Sequence, residues 1–225
     1  PICIGLGWAV IIYSSMEFAE NFRMPAFTRP FLVGLLALNI DLAMDVVAIR
    51  LGFWNWVIPL AFQWFGVPYG NFWAWFIVVV SYSGFLYWFR YKLSQKNINW
   101  LRWGYPFLAF LGSSLVLAVT NYVFVYVFSR TELVSALSMS LIILAGGVVL
   151  YIVKPNFKKD AQFDKIVFLV PFTFHLFFTF FGFAVGIYAQ LPILAVIGLS
   201  MFAGGMGVHL LPWWYAKNKP EETYP

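Results

Sequence analysis

Residues 39–56 read NIDLAMDVVAIRLGFWNW. Asp41 and Asp45 stand four residues apart inside a run that is otherwise apolar. On a helix, at about 100° per residue, they lie about 40° apart on one face. A charged side chain near mid-membrane costs about 2.5–3.5 kcal/mol on insertion scales, so such residues face a bundle interior or a water-filled cavity. Two neighbouring carboxyls in a poor dielectric do not both ionise cheaply, and one is expected to stay protonated near neutral pH. The pair would then offer a proton donor beside a carboxylate, the arrangement that general acid–base chemistry needs. A structural pair that hydrogen-bonds other helices is the alternative. Depth orders the roles. Asp41, nearer the span centre, is expected to be the acid, and Asp45, nearer the outer water, the base.

Other polar residues carry weaker signals. His175, in PFTFHLFFTFFG, lies deep in an apolar run, four residues after Pro171. It is either a catalytic or water-orienting group or an interhelical hydrogen-bonding histidine. Glu17 and Glu20, in MEFAENF, could form a second acidic site, although solvated charges at a helix end explain them as well. Arg50 points about 180° away from Asp41 and is expected to snorkel to the headgroups. Asn39 projects away from the Asp face and is expected to bridge helices. His209 is placed at a membrane interface. Cys3 is the single cysteine, so no internal disulfide and no CxxC metal pair exists. No phosphate-binding glycine loop, His-Glu-x-x-His motif or Cys/His cluster is present, so no metal and no cofactor are expected. No lysine lies mid-span, which excludes a retinal Schiff base.

The elements that hold these residues follow from composition. The chain has 225 residues, 62% hydrophobic and 10% charged, whereas soluble domains carry about 25% charged residues. Its apolar residues come in blocks long enough to cross a bilayer core of about 30 Å. The expected fold is all-α: a polytopic helical membrane bundle in one domain over 1–212, with a cytoplasmic tail over 213–225. Seven spans are predicted at 1–16, 31–49, 72–90, 104–128, 132–153, 166–189 and 192–211. The opening PICIGLGW has no Met and no basic stretch, and reads as a span whose start is missing. Segment 51–71 is short, holds Pro59, Gly66, Pro68 and Gly70, and reads as re-entrant or interfacial. With it uncrossed, Arg23, Arg29, Arg90, Lys92, Lys96, Arg102, Lys154, Lys158, Lys159, Lys165, Lys217 and Lys219 share one side. That side is expected to be the cytoplasm, in the cell membrane. The net charge of +5 therefore serves topology, and no nucleic-acid partner is expected.

Aromatic residues make up 22% of the chain and crowd residues 53–76 beyond what two membrane belts need. They can line a dry slot for a flat apolar ligand and stabilise a passing cation. Trp54, Trp56 and Tyr69 are expected to border the cavity that the aspartates face.

DLAMDVVAIRLGFWNW followed by WFGVPYGNFWAWF resembles the carotenoid biosynthesis membrane proteins of the CruF type. These comprise carotenoid 1,2-hydratases and the bisanhydrobacterioruberin hydratases. The resemblance is carried by Asp41, Asp45, Gly52, Trp54, Trp56, Phe65, Gly66, Pro68, Asn71, Phe72 and Trp75 and is diffuse elsewhere. It implies hydration of the terminal C1–C2 double bond of an acyclic carotenoid without a cofactor. Substrate would meet Trp54, Trp56, Tyr69, Asn71, Phe72 and Trp75, inside membrane lipid, with other enzymes of the pathway as neighbours. The family also resembles membrane-embedded lycopene cyclases in architecture. MEFAEN, however, lacks the proline of their Pro-x-Glu-Glu motif. A cyclase or isomerase using the same protonation, and a proton- or ion-coupled transporter, are the alternatives.

Overall fold

The computed structural model describes residues 2–56, 63–96, 103–128 and 131–217. Helix α1 (Ile2–Ala19) leads through β1 (Phe22–Arg23) to α2 (Arg29–Arg50). Strands β2 (Gln63–Trp64) and β3 (Val67–Pro68) precede α3 (Tyr69–Lys96). Then come α4 (Tyr105–Val123), which ends in a π turn over Phe124–Phe128, and α5 (Glu132–Val153). Strand β4 (Asn156–Phe157), α6 (Lys165–Ala184), the single turn α7 (Ile187–Gln190) and α8 (Pro192–Lys217) complete the chain. Among the described residues, six helices are long and apolar enough to cross a membrane, with the shorter apolar α1 packed beside them. The architecture is the all-α polytopic bundle that composition predicts, and the six long helices mark a multi-pass membrane protein.

The helix ends follow local chemistry. Pro30 opens α2, where a missing N–H has no intrahelical partner to lose. Asp164 caps α6 by accepting from Ile166 N at 2.7 Å and Val167 N at 3.2 Å. Helix α6 stops at Ala184, short of the predicted 189, and Gly186 turns the chain at φ 75° into α7. Helix α8 continues through Pro212 to Lys217, beyond the predicted 211, and Tyr215 stacks on Phe157 at 4.9 Å. The first five residues of the expected tail are thus helical, and the rest, with Lys219, lie outside the described residues. Arg102 and Pro59 also lie outside them.

Helix α2 is central. It is the most buried of the long helices and packs on α1, α3, α5, α6 and α8. Gly34 lets α3 come close, since a Cβ there would stand 2.6 Å from Val80 Cγ2. The two helices run antiparallel, with Pro30 beside Gly84 at one end and Asn71 against Asp45 at the other. The chain therefore leaves α2 and enters α3 at the same end of the bundle, as an uncrossed 51–71 segment requires. The re-entry is a two-residue hairpin: Gln63 pairs with Pro68 and Trp64 with Val67. Its central residues, Phe65 at φ 49° and Gly66 at φ 97°, take the positive values such a turn needs. Arg50 fixes it. Its Nη1 donates to Val46 O at 2.8 Å and to Phe65 O at 2.9 Å. Arg50, exposed at the end of α2 where a snorkelling side chain is expected, thus also clamps the helix end to the hairpin.

At the opposite end, β1 pairs with β4, and Lys158 N donates to Asn21 O at 2.8 Å. Glu20 bridges Arg29 at 3.1 Å and Lys158 at 3.5 Å. Arg29 in turn stacks over Tyr87 of α3 at 5.2 Å. Among the described residues, the lysines and arginines other than Arg50 belong to helix ends and loops at this end.

Candidate functional site: a carboxyl pair behind an aromatic cavity

The helical spacing that puts Asp41 and Asp45 on one face of α2 turns that face toward the first turn of α3. Asp41 is 0% exposed and Asp45 3%. The two carboxyls lie within hydrogen-bonding reach of each other. Asn71 holds both from α3: its Nδ2 donates to Asp45 Oδ2 at 2.6 Å and lies 3.5 Å from Asp41 Oδ2. Asp41 Oδ1 is buried with no hydrogen-bond partner. A proton shared within the carboxyl pair would give such a buried oxygen a partner.

A cavity of about 430 Å³ opens beside the pair, between α1, the end of α2, residues 53–56, the start of α3 and α6. Asp45 and Asn71 are its polar wall on the α2–α3 side, and Asn55 stands toward the rim. The rest is apolar and largely aromatic: Trp8, Phe53, Trp54, Trp56, Trp75, Phe174 and Phe178. Trp8 and Trp75 stack at 3.5 Å with planes 10° apart, fixing one wall. Phe53 reaches over from the end of α2 to Phe178 at 6.2 Å. A carboxyl at the wall of such a slot can hand a proton to an apolar ligand, and the ring faces can stabilise a cation formed there.

The sequence expectations divide on this geometry. Trp54, Trp56, Asn71 and Trp75 line the cavity. Tyr69 and Phe72 do not. Asn71 and Trp75 are four apart and share a face of α3, whereas Phe72 is one residue off that face and Tyr69 lies on its far side. Phe72 is instead fully buried in the core. Of the carboxyls, Asp45 forms the wall and Asp41 stands behind it. Depth along the helix, on which Asp41 was assigned the acid, does not decide access to the cavity. Phe53 opens the aromatic stretch 53–76, whereas nothing in the sequence singles out Trp8, Phe174 and Phe178. His175 lies between Phe174 and Phe178 but belongs to another face of α6.

That face is a second polar cluster. His175 Nε2 donates to Asn39 Oδ1 at 3.0 Å, and Asn39 Nδ2 donates to Met201 Sδ at 3.2 Å. Asn39 bridges helices as its position predicts, and the structure does not bring His175 to the cavity. His209 is 4% exposed, donates from Nδ1 to Gly205 O at 2.8 Å and packs on Phe18 at 4.5 Å. His209 thus packs inside the bundle near its basic end, eight residues before Lys217. Gly205 makes room for the cluster, since a Cβ there would lie 2.5 Å from Asn39 Oδ1 and 3.1 Å from His175 Nε2. Gly205→Ala is expected to destabilise the protein by about 1–3 kcal/mol, as overpacking does. A lowered thermal midpoint in detergent checks this, and an unchanged midpoint contradicts it. Glu17 and Glu20 sit at the basic end, where Glu20 is engaged by Arg29 and Lys158, and neither lines the cavity.

No curated protein and no solved structure matches the chain. The family described as carotenoid biosynthesis protein matches residues 1–150, a stretch that holds α1 to α4, most of α5, both aspartates, Asn71, Trp8 and Trp75. With that match over two thirds of its length, the chain belongs to the carotenoid biosynthesis protein family.

Proposed function

We propose that this protein is a membrane-embedded carotenoid 1,2-hydratase of the CruF type. It adds water across the terminal C1–C2 double bond of an acyclic carotenoid end group. The observation that carries the reading is Asp45 at the wall of an aromatic cavity, backed by Asp41 and Asn71. Asp45, as the neutral acid, gives its proton to C2, and the π electrons form the new C–H bond. The tertiary cation left at C1 rests against ring faces such as those of Trp54 and Trp75. Water then forms the C1–O bond, and its proton returns to the Asp45–Asp41 pair, which is restored for another turnover. The sum is alkene plus water giving a tertiary alcohol. Asn71 keeps one oxygen of each carboxyl occupied, which leaves the other oxygen of Asp45 for the proton transfer. Trp8, Phe174 and Phe178 hold the polyene end.

The same reading places the protein in the cell membrane with the basic end and the C-terminus in the cytoplasm, because lysine and arginine collect on that side. Expression in a host that accumulates lycopene tests the activity. The expected pigment is a tertiary alcohol one water heavier than its precursor. A product of unchanged mass with a new ring would instead make the protein a cyclase, and unaltered pigment would contradict both.

A further inference from the structure

The cavity lies at one end of the bundle only. Asp45 stands five residues before Arg50, the last residue of α2, about 7.5 Å along the axis. From Arg29 at the other end it is about 24 Å away. Phe53, 51% exposed, and Trp56, 37% exposed, sit past the helix end at the rim. The described lysines and arginines other than Arg50 gather at the far end. The short way from that end of the bundle to Asp45 passes the exposed Asn55, a route open to water, and the ring wall beside it suits an apolar end group whose long polyene stays in hydrocarbon.

Resting on the hydratase reading, the geometry points to one-sided hydration, one end per visit. The site draws polyene ends from the leaflet opposite the basic loops, takes water from that side, and leaves the new hydroxyl there. A linear carotenoid with two acyclic ends has its second end toward the basic leaflet while the first is in the cavity. To present that second end the molecule must turn over, which carries the hydroxyl through hydrocarbon. A hydroxyl without a hydrogen-bond partner crosses unfavourably. The mono-alcohol is therefore a released product that accumulates in a bilayer before any diol.

Two measurements test this. Protein reconstituted in lycopene-loaded lipid vesicles is compared with protein in lycopene-loaded detergent micelles, which have no opposed leaflets. Mono-alcohol is expected first in both, with diol formation delayed in vesicles relative to micelles. Diol without free mono-alcohol, or diol formed as fast in vesicles as in micelles, overturns the proposal. In a Cys3→Ser background, Asn55→Cys and Lys158→Cys are exposed to a membrane-impermeant maleimide on intact cells, with Trp56→Cys as a second rim reporter. Label is expected at the rim positions, and at position 158 only after permeabilisation. Labelling of both ends from one side overturns it, whereas label at position 158 alone keeps the ends on opposite sides and overturns only the cytoplasmic placement of the basic end. No alcohol in either medium overturns the hydratase reading itself, and the labelling still decides which face the mouth opens to.

Discussion

Asp45→Asn is expected to abolish hydration while leaving the protein folded and inserted. The substitution keeps shape and a polar contact to Asn71, but it removes the proton that C2 needs. General acid catalysis is worth about 10²–10⁴-fold, and among the described residues no other carboxyl lines the cavity to replace it. Asp41→Asn is expected to be impaired less. Asp41 stands behind the wall and acts by sharing protons with Asp45, so its loss slows resetting of the pair without removing the donor. The check is pigment conversion per folded molecule, with folding read from the thermal midpoint in detergent. Full activity in the Asp41→Asn, Asp45→Asn double variant would remove the pair from the mechanism. Equal and complete loss in the two single variants would mean that the carboxyls work as one unit, not as donor and backing group.

Asn71→Leu is expected to slow conversion about fivefold to more than a hundredfold. Its amide lies 2.6 Å from Asp45 Oδ2. Leaving a buried acceptor unsatisfied costs about 1–3 kcal/mol, and each 1.36 kcal/mol taken from transition-state stabilisation is tenfold in rate. Leucine keeps the branched shape, so the position stays filled while the carboxyl loses its anchor. Asn71 is in this sense a positioning residue. Asn71→Gln, which keeps an amide on a longer arm, is expected to recover part of the rate. The contrast with a purely structural role is measurable. A structural residue would lower the thermal midpoint and leave the rate per folded molecule intact, and that outcome would contradict the assignment. Recovery by Asn71→Gln in the rate, with little change in the midpoint, is the signature of positioning.

The membrane architecture was legible because it depends on composition over windows of about twenty residues, which the chain order alone supplies. Helices α2, α4 and α5 fall close to their predicted spans for that reason. The carboxyl pair was legible too, because a spacing of four fixes a shared helix face whatever surrounds it. That the chain leaves α2 and enters α3 at the same end of the bundle followed from the prolines and glycines of 51–71 and from the parity of the basic loops. Helix ends were less legible. Helix α8 passes through Pro212 and beyond the predicted 211, and Tyr215 finds Phe157 to stack on only in the folded chain. Gly186 ends α6 early through a left-handed turn that the apolar run around it conceals.

What the sequence by itself determined is a bundle with two expensive carboxyls on one face of its second helix and an aromatic stretch directly after it. Only the tertiary structure decided which of these groups meet. Trp8 stacks on Trp75 across 67 positions of chain, and Phe174 and Phe178 arrive from a helix still farther away. Nothing local marks them, because one apolar helix face looks like another until a neighbour is packed against it. The same packing turned His175 to Asn39 rather than to the cavity, and left Tyr69 and Phe72 off the face that Asn71 and Trp75 share. It also set Asp45 at the wall and Asp41 behind it. Periodicity places both carboxyls on one side of α2, but which of them a substrate can touch depends on where α1, α3 and α6 leave space.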